Sequence, residues 1–120
     1  YSWHPSLTSA AQNFYNAYLN KYGEPPDLMG GGLSYTAVQI LQQAIEKAGS
    51  IDREKVKHVL DTESFSTIIG NVTFGQYIEG GIHYNVNFIP PLGQIQDGKY
   101  EIVWPENIAT AEVITKPPWP

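Results

Sequence analysis

The chain of 120 residues contains no cysteine. That absence removes disulfides, thiolate metal sites and a cysteine nucleophile at once. Basic charge is scarce: seven Lys and Arg against twelve Asp and Glu leave a formal net charge of −5. The basic residues stand singly along the chain. With no basic stripe to displace counterions from phosphates, a nucleic-acid partner is not expected. Nor does any apolar run approach the roughly 18–20 residues that a membrane-spanning helix requires. No internal repeat and no low-complexity tract is present. A hydrophobic share of 42% and a charged share of 16% fit a globular domain and argue against disorder.

Catalytic patterns are missing as well. His4, His58 and His83 are far apart and lack HxxxH or HExxH spacing, so no metal site is expected. There is no GxSxG elbow. Gly30-Gly31-Gly32 precedes a helical pattern, but the Lys and Ser/Thr of a phosphate loop are absent and no strand leads into it. Asp61 and Glu63 read as solvated residues at a helix end rather than an acid/base pair. Asn71-Val72-Thr73 matches a glycosylation acceptor, and a strand-edge Asn accounts for it more simply. The chain is expected to be no enzyme and to carry no cofactor.

What is present is a strong helical pattern over residues 35–48. Ala37, Val38, Leu41, Ala44, Ile45 and Ala48 recur at three- and four-residue steps and share one face. Gln42, Gln43, Glu46 and Lys47 are placed mainly on the other side, and Gly49 supplies the left-handed stop. An earlier helix is predicted from Thr8 or Ser9 to Tyr22, with Ser9 and Gln12 as a capping box and Gly23 as its end. Its apolar stripe is Ala10, Phe14, Ala17 and Tyr18. The two prolines and three glycines within residues 24–32 predict a loop. A third helix starts with Asp52 as cap, Ile51 and Val56 as a hydrophobic staple, and Val56, Val59 and Leu60 as its apolar face.

Beyond Ser66 the period becomes extended. Residues 67–74 are rich in β-branched side chains, and Tyr84, Val86 and Phe88 alternate with Asn85 and Asn87 as in a half-buried strand. Pro90-Pro91 marks an edge or a crossing, and Asp97-Gly98 predicts a type I′ hairpin. The tail over residues 115–120 cannot form a ladder. The class is α/β, with three helices followed by strands. No parallel strand lies between the helices, so their apolar stripes are expected to cover a sheet that other residues build.

Five landmarks in order carry a family resemblance: Trp3-His4-Pro5-Ser6 leading into the first helix, the helix ending in Ala48-Gly49-Ser50, the helix after Asp52, the strand ending at Phe74, and Asp97-Gly98 followed by Trp104-Pro105. Together they resemble the C-terminal part of the solute-binding proteins of branched-chain amino acid ABC transporters, the leucine/isoleucine/valine-binding type. The resemblance implies a C-terminal fragment of a two-lobed type I periplasmic binding protein. Residues 1–6 would form a crossing between lobes, residues 7–74 the helices and strand of one lobe, and residues 75–120 a return crossing with the hairpin and tail of the other. It also implies a periplasmic or extracellular protein, free or lipid-anchored. Such a protein captures an amino acid, amide or aromatic acid between its lobes and presents it to an ABC permease. A ligand-sensing domain with the same lobes is the alternative. Other partners implied are the remainder of the two-lobed protein or a second copy exchanging elements.

In that family the residues just before Tyr35 approach the side-chain end of the ligand. Leucine-type members carry a bulky aromatic there, and here the stretch reads Met29-Gly30-Gly31-Gly32. Two readings stay open: a wider pocket, or glycines that merely permit a tight approach into the helix. Trp3, His4 and Tyr35 are candidates for the cleft wall, with hinge or helix packing as the other reading of each. The candidate ligand-binding set is therefore Trp3, His4, Met29, Gly30, Gly31 and Tyr35.

Overall fold

A computed structural model describes residues 3–27, 30–76, 83–87 and 89–115. Three helices come first: α1 (Ser9–Tyr22), α2 (Gly30–Ala48) and α3 (Arg53–Thr62). Five strands follow: β1 (Ser64–Thr67), β2 (Gly70–Gln76), β3 (His83–Asn85), β4 (Leu92–Gln96) and β5 (Lys99–Trp104), with a 3-10 turn at Glu106–Ile108. The strands form an antiparallel sheet of order β1-β2-β3 and a separate β4-β5 hairpin.

The first helix is capped one residue earlier than the capping-box reading placed it. Thr8, in extended conformation, accepts the Ala11 amide at 2.9 Å, while its hydroxyl donates to the Ile68 carbonyl at 2.8 Å. Ser9 is already helical, so the Ser9–Gln12 box does not form. The tertiary contact with Ile68 decides the cap. Gly23 ends the helix at φ 77°, donating to Leu19. Asp52 caps α3 as expected, accepting from Lys55 at 3.1 Å. The predicted staple does not close, because Ile51 stays 87% exposed while Val56 is buried.

The extended run after Ser66 divides differently from the sequence expectation. Residues 67–74 are not one strand but the two arms and turn of a hairpin, with Ile68 and Ile69 at its tip. The Thr67 hydroxyl closes that turn, donating to the Gly70 carbonyl and accepting the Ile69 amide. Burial explains why isoleucines occupy a turn: Ile68 packs into a cluster with Trp3 and Ala11. The third strand ends at Asn85, short of the predicted run, because the Asn85 side chain accepts both the Thr73 and Asn87 amides and turns the chain. Phe88 lies outside the described residues. The Asp97-Gly98 hairpin forms as read, with φ of 50° and 77° at its two turn residues.

Two small cores result. In one, Ala44, Val56, Phe65 and Val72 join α2 and α3 to the β1-β2 hairpin; in the other, Trp3, Ala11 and Ile68 join α1 to the hairpin tip. Gln43, assigned by pattern to the outer side of α2, turns toward β1 together with Lys47, while Gln39 reaches Ile68 in the turn after β1. Of the predicted α2 stripe, Val38 and Leu41 remain 63% and 51% exposed. On α1, Ala10 and Ala17 are exposed and, with Phe14 and Tyr18, line an open groove against α2 of about 750 Å³. The radius of gyration is 17.3 Å, against roughly 14 Å for a compact globule of this length. The helices carry more apolar surface than this chain's own strands cover. Among the described residues no helix is long and apolar enough to cross a membrane.

Candidate functional site

The candidate site is built around the start of α2. The three glycines that predicted a loop are instead its first turn. Asp27 makes this possible: its two carboxylate oxygens accept the amides of Gly30 at 2.7 Å and Gly31 at 2.9 Å. Two of the unsatisfied donors of a helix start are thereby paired, and the negative charge lies at the positive end of the helix dipole. The signal was an Asp three residues ahead of Gly30, and the surrounding prolines and glycines masked it.

Each of these glycines sits close against a neighbour, and at Gly32 there is no room for a side chain. A β-carbon on Gly30 would lie 2.9 Å from the Asp27 carboxylate, and one on Gly31 3.1 Å from Pro26. On Gly32 it would fall 2.3 Å from the Trp3 ring. Trp3 is fully buried, its indole N–H donating to the Asp27 carbonyl at 3.3 Å and its ring edge-on to Phe14 at 5.6 Å. Trp3, Pro26 and Asp27 thus clamp the turn from behind. Met29 lies outside the described residues.

The other candidates sit elsewhere. Tyr35 is one turn further along α2, half exposed, with its ring 4.5 Å from Phe14 on the wall of the α1–α2 groove. His4 lies toward β5, where its ring is 5.9 Å from that of Tyr100. Burial holds its pKa below the ordinary 6.5, with the charge of Glu101 and a hydrogen bond to the Tyr100 backbone opposing. The structure therefore brings Trp3, Gly30 and Gly31 together and leaves Tyr35 and His4 at separate edges. Among the described residues no cluster of His, Asp and Glu could hold a metal ion.

This order of helices and strands is shared with known proteins. Residues 1–83 match the family described as periplasmic binding protein. The chain belongs to the periplasmic binding protein family. One curated relative is Leu/Ile/Val-binding protein homolog 7 from Brucella suis biovar 1, 27% identical over 109 residues. Among solved structures, the leucine binding protein LivK from Thermotoga maritima superposes with a TM-score of 0.63 at 28% identity, over 85% of this chain. The chain spans 27% of the curated relative's length and 28% of LivK. Both comparisons agree with the resemblance to the leucine/isoleucine/valine-binding type. They also place the three-helix-then-strand order within the α/β architecture of type I periplasmic binding proteins. Family and fold alike are those of binding proteins rather than enzymes.

Proposed function

We propose that this chain forms part of an extracytoplasmic solute-binding component of an ABC importer. It captures an amino acid or a related small carboxylate or amide between two lobes and delivers it to a membrane permease. The likeness to LivK over 85% of the chain carries the reading, because it spans helices and strands together. In this scheme residues 1–6 cross between lobes, residues 7–74 belong to one lobe, and the chain returns to the other within residues 75–84, of which 77–82 lie outside the described residues. The uncovered faces of α1 and α2 then pack on the remainder of the two-lobed protein.

Within the cleft, the first turn of α2 is a wall of bare backbone at Gly30 and Gly31. Asp27 already occupies both glycine amides, so a ligand carboxylate brought to the same place would meet its negative charge. The turn therefore receives the ligand's side-chain end. Trp3 supports the wall from within rather than touching the solute, while His4 and Tyr35 flank it.

Isothermal titration of the full-length protein containing this chain tests the reading. Leucine, isoleucine, valine, phenylalanine and their amides form the panel, and at least one should bind at one-to-one stoichiometry. Absence of heat and of thermal stabilisation with every member would reject solute capture.

A further inference from the structure

We propose that the outer edge of β4 is a docking edge for one further strand, contributed by the part of the two-lobed protein outside these 120 residues. The inference rests on the solute-binding reading only in taking this chain as one piece of such a protein.

The geometry starts from β5. Ile102 turns its backbone away from β4: its amide donates to the Thr110 hydroxyl at 2.9 Å, and its carbonyl accepts the amides of Thr110 and Ala111. In an antiparallel ladder two opposite residues either bond to each other or both turn outward, and the two kinds of pair alternate. Gly93 stands opposite Ile102, and Ile95 opposite Tyr100. The N–H and C=O groups of Gly93 and Ile95 therefore point away from the hairpin, along the free side of β4. Both residues are exposed, and among the described residues nothing bonds to these outward groups.

Two other strand edges are occupied. Gln43 and Lys47 of α2 serve that of β1 at Ser66 and Ser64, while Thr110 and the His4 ring serve that of β5 at Ile102 and Tyr100. Native proteins cover, charge or interrupt an edge that must stay unpaired. Gly93 and Ile95 carry none of these devices. The faces of the hairpin differ in the same way. Gln94 and Gln96 hold the backbone of Ile114 and Glu112 against one face, whereas Ile95, on the other, is 65% exposed.

A two-stranded hairpin alone is marginal in water, and a third strand with an apolar face secures it. Among the described residues α1, α2 and α3 have no extensive packing against β4 or β5. The chain spans 27% and 28% of the two relatives, so the larger part of a two-lobed protein is left to supply that strand. The strand that fits is extended, free of proline where it meets Gly93 and Ile95, and apolar beside Ile95.

Amide hydrogen exchange followed by NMR on the full-length protein, with its molar mass measured by light scattering, tests the edge. In the monomer the Gly93 and Ile95 amides should exchange within about tenfold of the ladder amide of Gln94. Nuclear Overhauser contacts should run from both to one extended segment outside these 120 residues. Ile95→Pro removes an outward donor at a position where a lone edge strand tolerates proline. It should lower the melting temperature and speed Gly93 exchange by about tenfold or more. Unprotected amides at Gly93 and Ile95, contacts only to residues within these 120, or protection that vanishes on dilution of a dimer would each overturn the proposal. An unchanged melting temperature in Ile95→Pro would do the same, and if that variant does not fold the unmutated protein decides alone. No readout involves a ligand, so failure of solute capture and failure of this pairing are told apart.

Discussion

Gln43 uses both atoms of its side-chain amide on one residue of the neighbouring strand. Its Nε2 donates to the Ser66 carbonyl at 2.9 Å, and its Oε1 accepts the Ser66 amide at 3.2 Å. Gln39 accepts the Ile68 amide and Lys47 donates to the Ser64 carbonyl, so residues four apart on α2 serve residues two apart along β1 and into the turn that follows it. Four helical residues rise about 6 Å and two strand residues about 6.6 Å, so the two spacings nearly coincide. A polar stripe on the helix thereby occupies a strand edge that would otherwise be unpaired.

Removing this pairing should be measurable. Gln43→Ala is expected to cost about 1–2 kcal/mol, the sum of two ordinary side-chain hydrogen bonds near the surface. Urea denaturation of the full-length protein measures it. Faster exchange of the Ser66 amide would locate the effect, and an unchanged midpoint would show that water replaces the glutamine without loss.

The approach of Trp3 to Gly32 predicts a large response to one methyl group. Gly32→Ala places a β-carbon inside contact distance of the indole, and overpacking of this kind costs about 1–3 kcal/mol. Trp3→Leu in the same molecule should recover part of the loss, since a smaller side chain vacates the space. Additive effects of the two substitutions would contradict the contact.

Two adjacent residues at the start of α1 should behave differently. Thr8→Ala loses both the cap and the bond to Ile68 and should cost about 1–2 kcal/mol. Ser9→Ala should stay within about 0.5 kcal/mol, because it touches neither partner. Equal effects at both positions in thermal melts would restore the capping-box reading.

At α3 the same contrast applies. Asp52→Ala should cost about 1 kcal/mol through loss of the cap on the Lys55 amide. Ile51→Ser should be nearly neutral, given how little of Ile51 is buried. A clear loss at Ile51 would mean that this side chain is covered in the full-length protein.

Much of the candidate site was hidden in the sequence for a physical reason. Gly30, Gly31 and Gly32 have poor helix propensity, and only the Asp27 carboxylate and the close approach of Trp3 and Pro26 hold them in a helical turn. Nothing in the spacing of Trp3 and Gly32, 29 positions apart, announces that contact. The family resemblance located the segment, and the side-chain geometry supplied the reason for its glycines.

The sequence by itself determined what depends on a few consecutive residues: the bodies of three helices, the Asp52 cap, the left-handed stop at Gly23 and the Asp97-Gly98 hairpin. Each follows from local sterics or from a donor and acceptor within one turn. Tertiary structure alone decided that Thr8 rather than Ser9 caps α1, that Ile68 and Ile69 form a buried turn rather than mid-strand, and that Gln43 faces a strand rather than water. Those outcomes rest on partners more than 20 residues away, whose hydrogen bonds and burial outweigh local preference by about a kcal/mol or more.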